Sequence, residues 1–427
     1  MTSVRTFFVT GLLFGIFAST VAAQDSTRYA KTPNALRPYK DFQTPYKVFF
    51  VEPQAFRGPG RDVGPPPDLD TVRIGVLAPL EGSRDAKWGQ RVVRGATMAI
   101  DEANAAGGFD GLPFAVVTRN DLGLWGASGN ELVALYDRGV WATVGSIDGA
   151  NSHIMVRLAL KLDMPIVNTA TTDPTLTETA VPWIIRCIAD DRQASYALAL
   201  YMHEVRGFRR VALLRANDRY GRVGTGELVD ALRRLGAPVV LELRYAPGSG
   251  DVQPQLARIE QANADAVVLW GDGRDAGDIV RRMREMGLDQ PVLGPDRLVS
   301  NEFLTTAGDA AEGVVATYPF NPEGEDPMYR RFAERYADRF GETPDAYAAH
   351  AYDGMRMVIQ SIHKAGLNRV RIRDALTDMP SFQGVTGSIP FDATWNDVGP
   401  VWMAVVQNGT YSFFPSPLDD EHNAIER

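Results

Sequence analysis

Val72-Arg73-Ile74-Gly75-Val76-Leu77-Ala78, followed after a loop by a helical stretch over Gln90–Ala105, decides the fold class. The first run is apolar, β-branched and of strand length. The second repeats Val92, Val93, Ala96, Ala99 and Ile100 at helical spacing. The same alternation continues downstream. Strand-like runs stand at Phe114–Arg119, Ala142–Gly145, Pro165–Asn168, Arg210–Arg215, Val239–Arg244, Ala266–Trp270, Pro291–Gly294 and Gly313–Thr317, with helix-length segments such as Gly226–Leu235 between them. Strand and helix in strict alternation predict parallel sheets with crossover helices, here as two successive α/β blocks.

Beyond the second block the pattern changes. Pro327–Phe340, Ala346–Ala365 and Arg371–Asp378 read as three helices, and Ile389–Tyr411 as late strands closed by an Asn408-Gly409 turn. These elements lack a sheet of their own and must join one formed earlier. Upstream, Gln24–Asp70 is rich in proline and carries Tyr39, Phe42, Tyr46, Phe49 and Phe50. A solvated linker gains nothing from such aromatics, so this arm is expected to lie extended on the folded body.

The chain opens with Met1–Arg5, an apolar run over Phe7–Ala18 and then Val21-Ala22-Ala23, the layout of a secretory leader cleaved before Gln24. The run is too short to span a bilayer, and no cysteine at the cleavage point could carry a lipid, so a free periplasmic protein is expected. At 427 residues, two domains are natural. The net charge of −9 comes without a basic stripe, which disfavours nucleic acid and anionic membranes as partners.

The search for catalytic chemistry is largely negative. The five histidines are scattered, the single Cys187 lies in an apolar run, and neither a zinc spacing, an EF-hand loop nor a G-x-S-x-G elbow occurs. No cofactor and no catalytic residue is therefore expected, with the adjacent Asp190-Asp191 read as a solvated or paired duo. One stretch, Gly271-Asp272-Gly273-Arg274-Asp275-Ala276 after a strand, fits the dinucleotide fingerprint. It sits third in its block and places Asp272 against the would-be pyrophosphate, which argues against that reading.

From Val72 onward the sequence resembles the branched-chain amino-acid binding proteins of ABC transporters, the leucine/isoleucine/valine-binding family. The resemblance rests on Ile74–Gly82, Trp88-Gly89, Asp101–Gly108, Pro165–Asn168, Thr172–Thr177, Asn217–Gly221, Leu293–Asp296, Gly308–Gly313, Tyr352-Asp353 and Gly384–Gly387, in that order and spacing. It implies two Rossmann-like lobes with a three-segment hinge, the type I periplasmic binding protein fold. Lobe 1 would hold residues 72–190 with 320–380 and lobe 2 residues 191–319 with 381–415, after the arm over 24–71 and before a tail over 416–427.

The resemblance also implies ligand-binding positions. Ala170 and Thr172 match groups that hold an amino-acid carboxylate, Tyr220 and Asp296 those that close over the ammonium, and Trp88 an aromatic near the cleft. A hydroxyl expected after the third strand is replaced by Gly149, beside Asp148. One carboxylate contact is lost and a negative charge is added, although a backbone N–H at Gly149 or Ala150 could still serve an anion. Asp272 stands where close relatives place a tyrosine. The implied function is capture of an amino acid or a related amide or amine by hinge closure, and delivery to a membrane permease by a monomer. A sensor subunit docking on a receptor is the alternative.

Overall fold

A computed structural model of the chain describes residues 59–418. The expected leader, all of the arm up to residue 58 and the last residues of the tail lie outside them. The chain builds two α/β lobes. In the first, β1 (Val72–Ala78), β2 (Phe114–Asn120), β3 (Thr143–Gly145), β4 (Ile166–Asn168) and β5 (Ile184–Arg186) form a wholly parallel sheet in the order β2-β1-β3-β4-β5. The second sheet contains β6 (Val211–Ala216), β7 (Leu241–Tyr245), β8 (Ala266–Trp270), β9 (Val292–Gly294) and β10 (Val315–Tyr318). After a separate hairpin, β11 (Ser381–Gly384) with β12 (Gly387–Pro390), the chain adds β13 (Trp402–Gln407) and β14 (Thr410–Pro415) to it, giving β14-β13-β10-β9-β8-β6-β7. There β13 alone is reversed, pairing antiparallel with both β10 and β14, and it joins β14 at Asn408 and Gly409 with φ of 52° and 75°, as a two-residue hairpin of this kind requires.

Both faces of each sheet are buried, which is why the strands read as apolar runs rather than alternations. In lobe 1, Ile74 and Val76 face Val92, Ala96, Met355 and Val358, while Leu77 on the opposite face meets Leu132, Leu135, Met155 and Trp183. In lobe 2, Ala212 and Leu214 point to one core and Val211 and Leu213 to the other, the period of two expected of a strand. The helix Ala86–Ala105 crosses Ala346–Ala365 so closely that a Cβ on Gly95 would lie 2.0 Å from the Ala348 carbonyl oxygen. Only glycine fits there.

Three differences from the sequence reading have physical causes. The strand β5 was hidden inside the apolar run Trp183–Ile188. The helix expected from Gly226 begins at Arg219, because Asp218 caps it by accepting from the Gly221 N–H at 2.7 Å, and tertiary packing overrides the weak propensity of its glycines. The hairpin over 381–390, expected in lobe 2, packs on lobe 1. Phe382, Val385, Ile389, Phe391 and Trp395 join that core, and the buried Asp353 carboxylate accepts from the N–H groups of Val385 and Thr386 at 2.8 and 3.0 Å. The Gly384–Gly387 motif is thus a structural turn around Asp353, and the third crossing lies just before β13.

The crossings are tied together by one side chain. Arg186 ends β5 and is 0% exposed. Its Nε donates to Asn396 Oδ1 at 2.7 Å, one terminal nitrogen pairs with Asp190 at 2.8 Å, and the other donates to the Asp173 carbonyl. The backbones also join, with the Arg186 N–H on Trp395 O and the Asp397 N–H on Arg186 O, both at 2.9 Å. The first and third connections between the lobes therefore form one hydrogen-bonded unit.

His350 gives lobe 1 a pH dependence. It is 1% exposed, its Nδ1 bonds to the Ala346 carbonyl at 2.9 Å, and burial pushes its pKa down from 6.5 to about 4. A group depressed on folding contributes stability that is complete above pH 6.5 and lost as pH falls through about 4, because the unfolded chain takes up the proton first. His350→Phe is expected to flatten the denaturation midpoint across that window. An unchanged slope would show that other groups carry it.

Candidate functional site

The carboxyl ends of the parallel strands in both lobes face one another, the place where open α/β sheets bind ligands. Lobe 1 contributes the loop after β1, the start of the helix Gly149–Leu162 and residues 170–173. Lobe 2 contributes the start of the helix Arg219–Arg234 and the turn Asp296–Leu298 after β9. Ion pairs join the two sides. Arg219 donates to Asp173 at 2.6 Å and to the Thr175 hydroxyl at 3.0 Å, and Arg84 reaches Asp272 at 2.6 Å and Asp275 at 3.3 Å.

Trp88, Tyr220 and Asp296 come together. Tyr220 donates its hydroxyl to Asp296 Oδ1 at 2.8 Å. Trp88 stacks on Tyr347 with ring centroids 5.5 Å apart and 15° between planes. The guanidinium of Arg297 lies over the Tyr220 ring, 3.7 Å from its centroid and 5.3 Å from that of Trp88, in the field of Asp296 and Asp85. Burial raises the Asp296 carboxyl, opposed by Arg297 and by the Tyr220 hydroxyl, and raises Tyr220 well above its ordinary value, with the Asp296 charge adding to it.

Asp191, set aside as one of a solvated pair, is instead 1% exposed at the hinge end of the cleft. Its N–H donates to the Thr172 carbonyl at 2.7 Å, so it sits beside that predicted residue. Neither of its carboxylate oxygens makes a hydrogen bond of normal geometry among the described residues. Burial, and next the Asp296 charge, push its carboxyl well above the usual range although the Thr172 hydroxyl lies close enough to oppose this. Asp190 beside it has the opposite environment, capping the helix Asp191–Leu200 and pairing with Arg186.

Other predicted positions serve the protein itself. Asp148 caps the helix Gly149–Leu162, accepting from the N–H groups of Ala150 at 2.7 Å and Asn151 at 3.1 Å, so the Ala150 amide that was offered to an anion is already taken. The Ala170 amide donates to Asn168 Oδ1 at 3.3 Å. A Cβ on Gly149 would stand 2.8 Å from Asp173 Oδ2, so a larger residue there would require the Asp173 side chain to move. Asp272 caps the helix Gly273–Glu285 and pairs with Arg84. In the glycine stretch around it, a Cβ on Gly271 would lie 1.9 Å from the Tyr245 hydroxyl, so the would-be phosphate loop is filled.

Arg297, Tyr347, Asp85 and Asp191 escaped the sequence reading. Arg297 follows Asp296 directly, and only its burial against Tyr220 sets it apart from a surface arginine. Tyr347 comes from a helix far along the chain, and nothing local marks it.

A family model described as "Periplasmic binding protein" matches residues 71–410. Among curated proteins, the chain is 29% identical over 328 residues to the Leu/Ile/Val-binding protein homolog 2 of Brucella abortus, covering 75% of this chain and 86% of that one. It is 27% identical over 311 residues to an amino acid binding protein of Pseudomonas aeruginosa, covering 70% and 80%. Among solved structures, the branched-chain amino acid transporter substrate binding protein LivJ of Streptococcus pneumoniae, in complex with isoleucine, superposes with a TM-score of 0.75 at 27% identity, covering 81% of this chain and 99% of that one. The two lobes, the three crossings and the cleft between strand ends therefore have their counterpart in sequence: the chain belongs to the periplasmic binding protein family and is a solute-binding protein of the ABC-transporter type.

Proposed function

We propose that the cleft captures a small molecule bearing an ammonium group, closes over it by hinge motion without catalysing a reaction, and presents it to a membrane permease. The observation that carries this reading is the pair of acids at the cleft floor. Asp191 is buried beside the Thr172 hydroxyl with no hydrogen bond of normal geometry to its carboxylate among the described residues, and Asp296 lies close enough to raise it further. A buried carboxylate without a cation is costly, and an incoming ammonium relieves that cost. The Tyr220 and Trp88 faces are taken by the Arg297 guanidinium, so the attraction for an ammonium rests on the two acids. Thr172 adds a hydroxyl beside Asp191. The amino-acid-binding relative of Pseudomonas aeruginosa and the transporter substrate-binding protein of Streptococcus pneumoniae support the transport role.

The test is a thermal-shift screen of the purified protein across amines, amino acids, amides, polyols and carboxylic acids, paired with mass spectrometry of small molecules released on denaturation. A solute held only by the native state adds about 2.7 kcal/mol at a hundredfold excess over its dissociation constant, a visible shift. Ammonium-bearing compounds are expected to give it. Shifts confined to compounds without an ammonium group overturn the reading.

A further inference from the structure

The ammonium reading leaves open what else the solute carries, and lobe 1 narrows it. A carboxylate on the carbon next to the nitrogen would have to find donors within a few ångströms of the acids. The natural ones are the first N–H groups of the helix Gly149–Leu162 and those of the loop after β4, both at the carboxyl ends of strands. Four of these N–H groups are occupied from within. Ala150 and Asn151 donate to the Asp148 carboxylate at 2.7 and 3.1 Å, and Ala170 and Thr171 to Asn168 Oδ1 at 3.3 and 2.9 Å.

The space in front of that helix is also charged with the wrong sign. Gly149 faces Asp173 Oδ2, 2.8 Å from where a Cβ would be, with Arg219 Nε at 3.2 Å. Asp173 is 5% exposed and already paired with Arg219 at 2.6 Å, hydrogen-bonded to Thr175 and 3.5 Å from His153. Burial opposes its ionisation, but these partners together hold its carboxyl below the usual range. Two of the protein's own carboxylates, Asp148 and Asp173, thus stand where a solute carboxylate would go. Of the other bases at the cleft, Arg84 pairs with Asp272 and Asp275, and Arg297 is spread over the Tyr220 face in the field of Asp296 and Asp85.

Building on the ammonium reading, we propose that the solute is an amine whose neighbouring carbon bears no carboxylate: an alkyl- or arylalkylamine, or an amino acid amide. Asp148 is the residue that excludes free amino acids. Asp148→Ser is the informative variant, because serine still caps the helix while removing the charge and freeing one of the two N–H groups.

Isothermal titration of the purified protein with matched probes tests this: leucine, leucinamide and 3-methylbutylamine, then phenylalanine and 2-phenylethylamine. The amines or the amide are expected to bind at least tenfold more tightly than the amino acids. Asp148→Ser is expected to narrow that gap by a factor of ten or more, with an unchanged melting temperature in the absence of probe. If an amino acid binds as tightly as its amine to the parent protein, the exclusion is overturned while the ammonium clasp stands. If no probe of either series binds, both fall.

Discussion

Replacing Arg186 by methionine is expected to lower folding stability by about 3 to 5 kcal/mol, the cost of stripping one partner from a buried, hydrogen-bonded charge pair. Methionine fills much of the space but leaves the Asp190 carboxylate, the Asn396 amide and the Asp173 carbonyl without the donors that Arg186 supplies at 0% exposure. Asp190 retains donors from the Arg192 and Gln193 N–H groups and from the Asn396 side chain, which bounds the loss. The effect reaches both lobes because the first and third crossings meet at this residue. Urea denaturation followed by tryptophan fluorescence measures it, and a loss below about 1 kcal/mol would show that the backbone pairing alone holds the crossings together. Lysine cannot rescue the site, since a single ammonium cannot serve acceptors that lie in three directions.

Asp296→Asn is expected to weaken binding of an ammonium-bearing solute by about 2 to 5 kcal/mol, roughly thirtyfold to several thousandfold. The amide oxygen can still accept from Tyr220, so the shape of the cleft is kept while the charge is lost. Burial raises the carboxyls of both Asp191 and Asp296, and the ammonium prefers their ionised forms. Affinity in the parent should therefore rise with pH as the acids ionise, and Asp296→Asn should lose part of that rise. Titration calorimetry at several pH values reads both effects. Binding as tight as in the parent, with the same pH slope, would remove Asp296 from the clasp.

The two-lobed fold was legible because its strands are apolar on both faces and its helices amphipathic, so period and length separated them without tertiary information. The helix Pro327–Phe340 and the helix Ala346–Ala365 were read to the residue. The start of the helix at Arg219 was not, since a cap by Asp218 had to outweigh Gly221, Gly224 and Gly226. The allegiance of the hairpin over 381–390 depended on Asp353, a contact of long sequence separation. Within the cleft, Trp88, Tyr220 and Asp296 could be placed by motif. Asp191 could not, because Asp190 beside it is buried as well and only the partners each meets in the fold tell the two apart. Asp148 shows the middle case: its charge was visible in the sequence, but the hydrogen bonds that turn it inward onto Ala150 and Asn151 were not.

The late return of the chain to both lobes bears on how the molecule is made. β13 and β14 complete the sheet begun at β6, and the helix Ala346–Ala365 covers a face of the sheet begun at β1. As the chain is synthesised, one face of lobe 1 stays only partly covered until the helix Ala346–Ala365 appears, and the edge of β10 in lobe 2 stays unpaired until β13 follows. Neither lobe can condense fully in the order of translation. Such long-range closure favours slow folding and a prolonged exposed intermediate, so the nascent chain depends on protection until its final hairpin arrives.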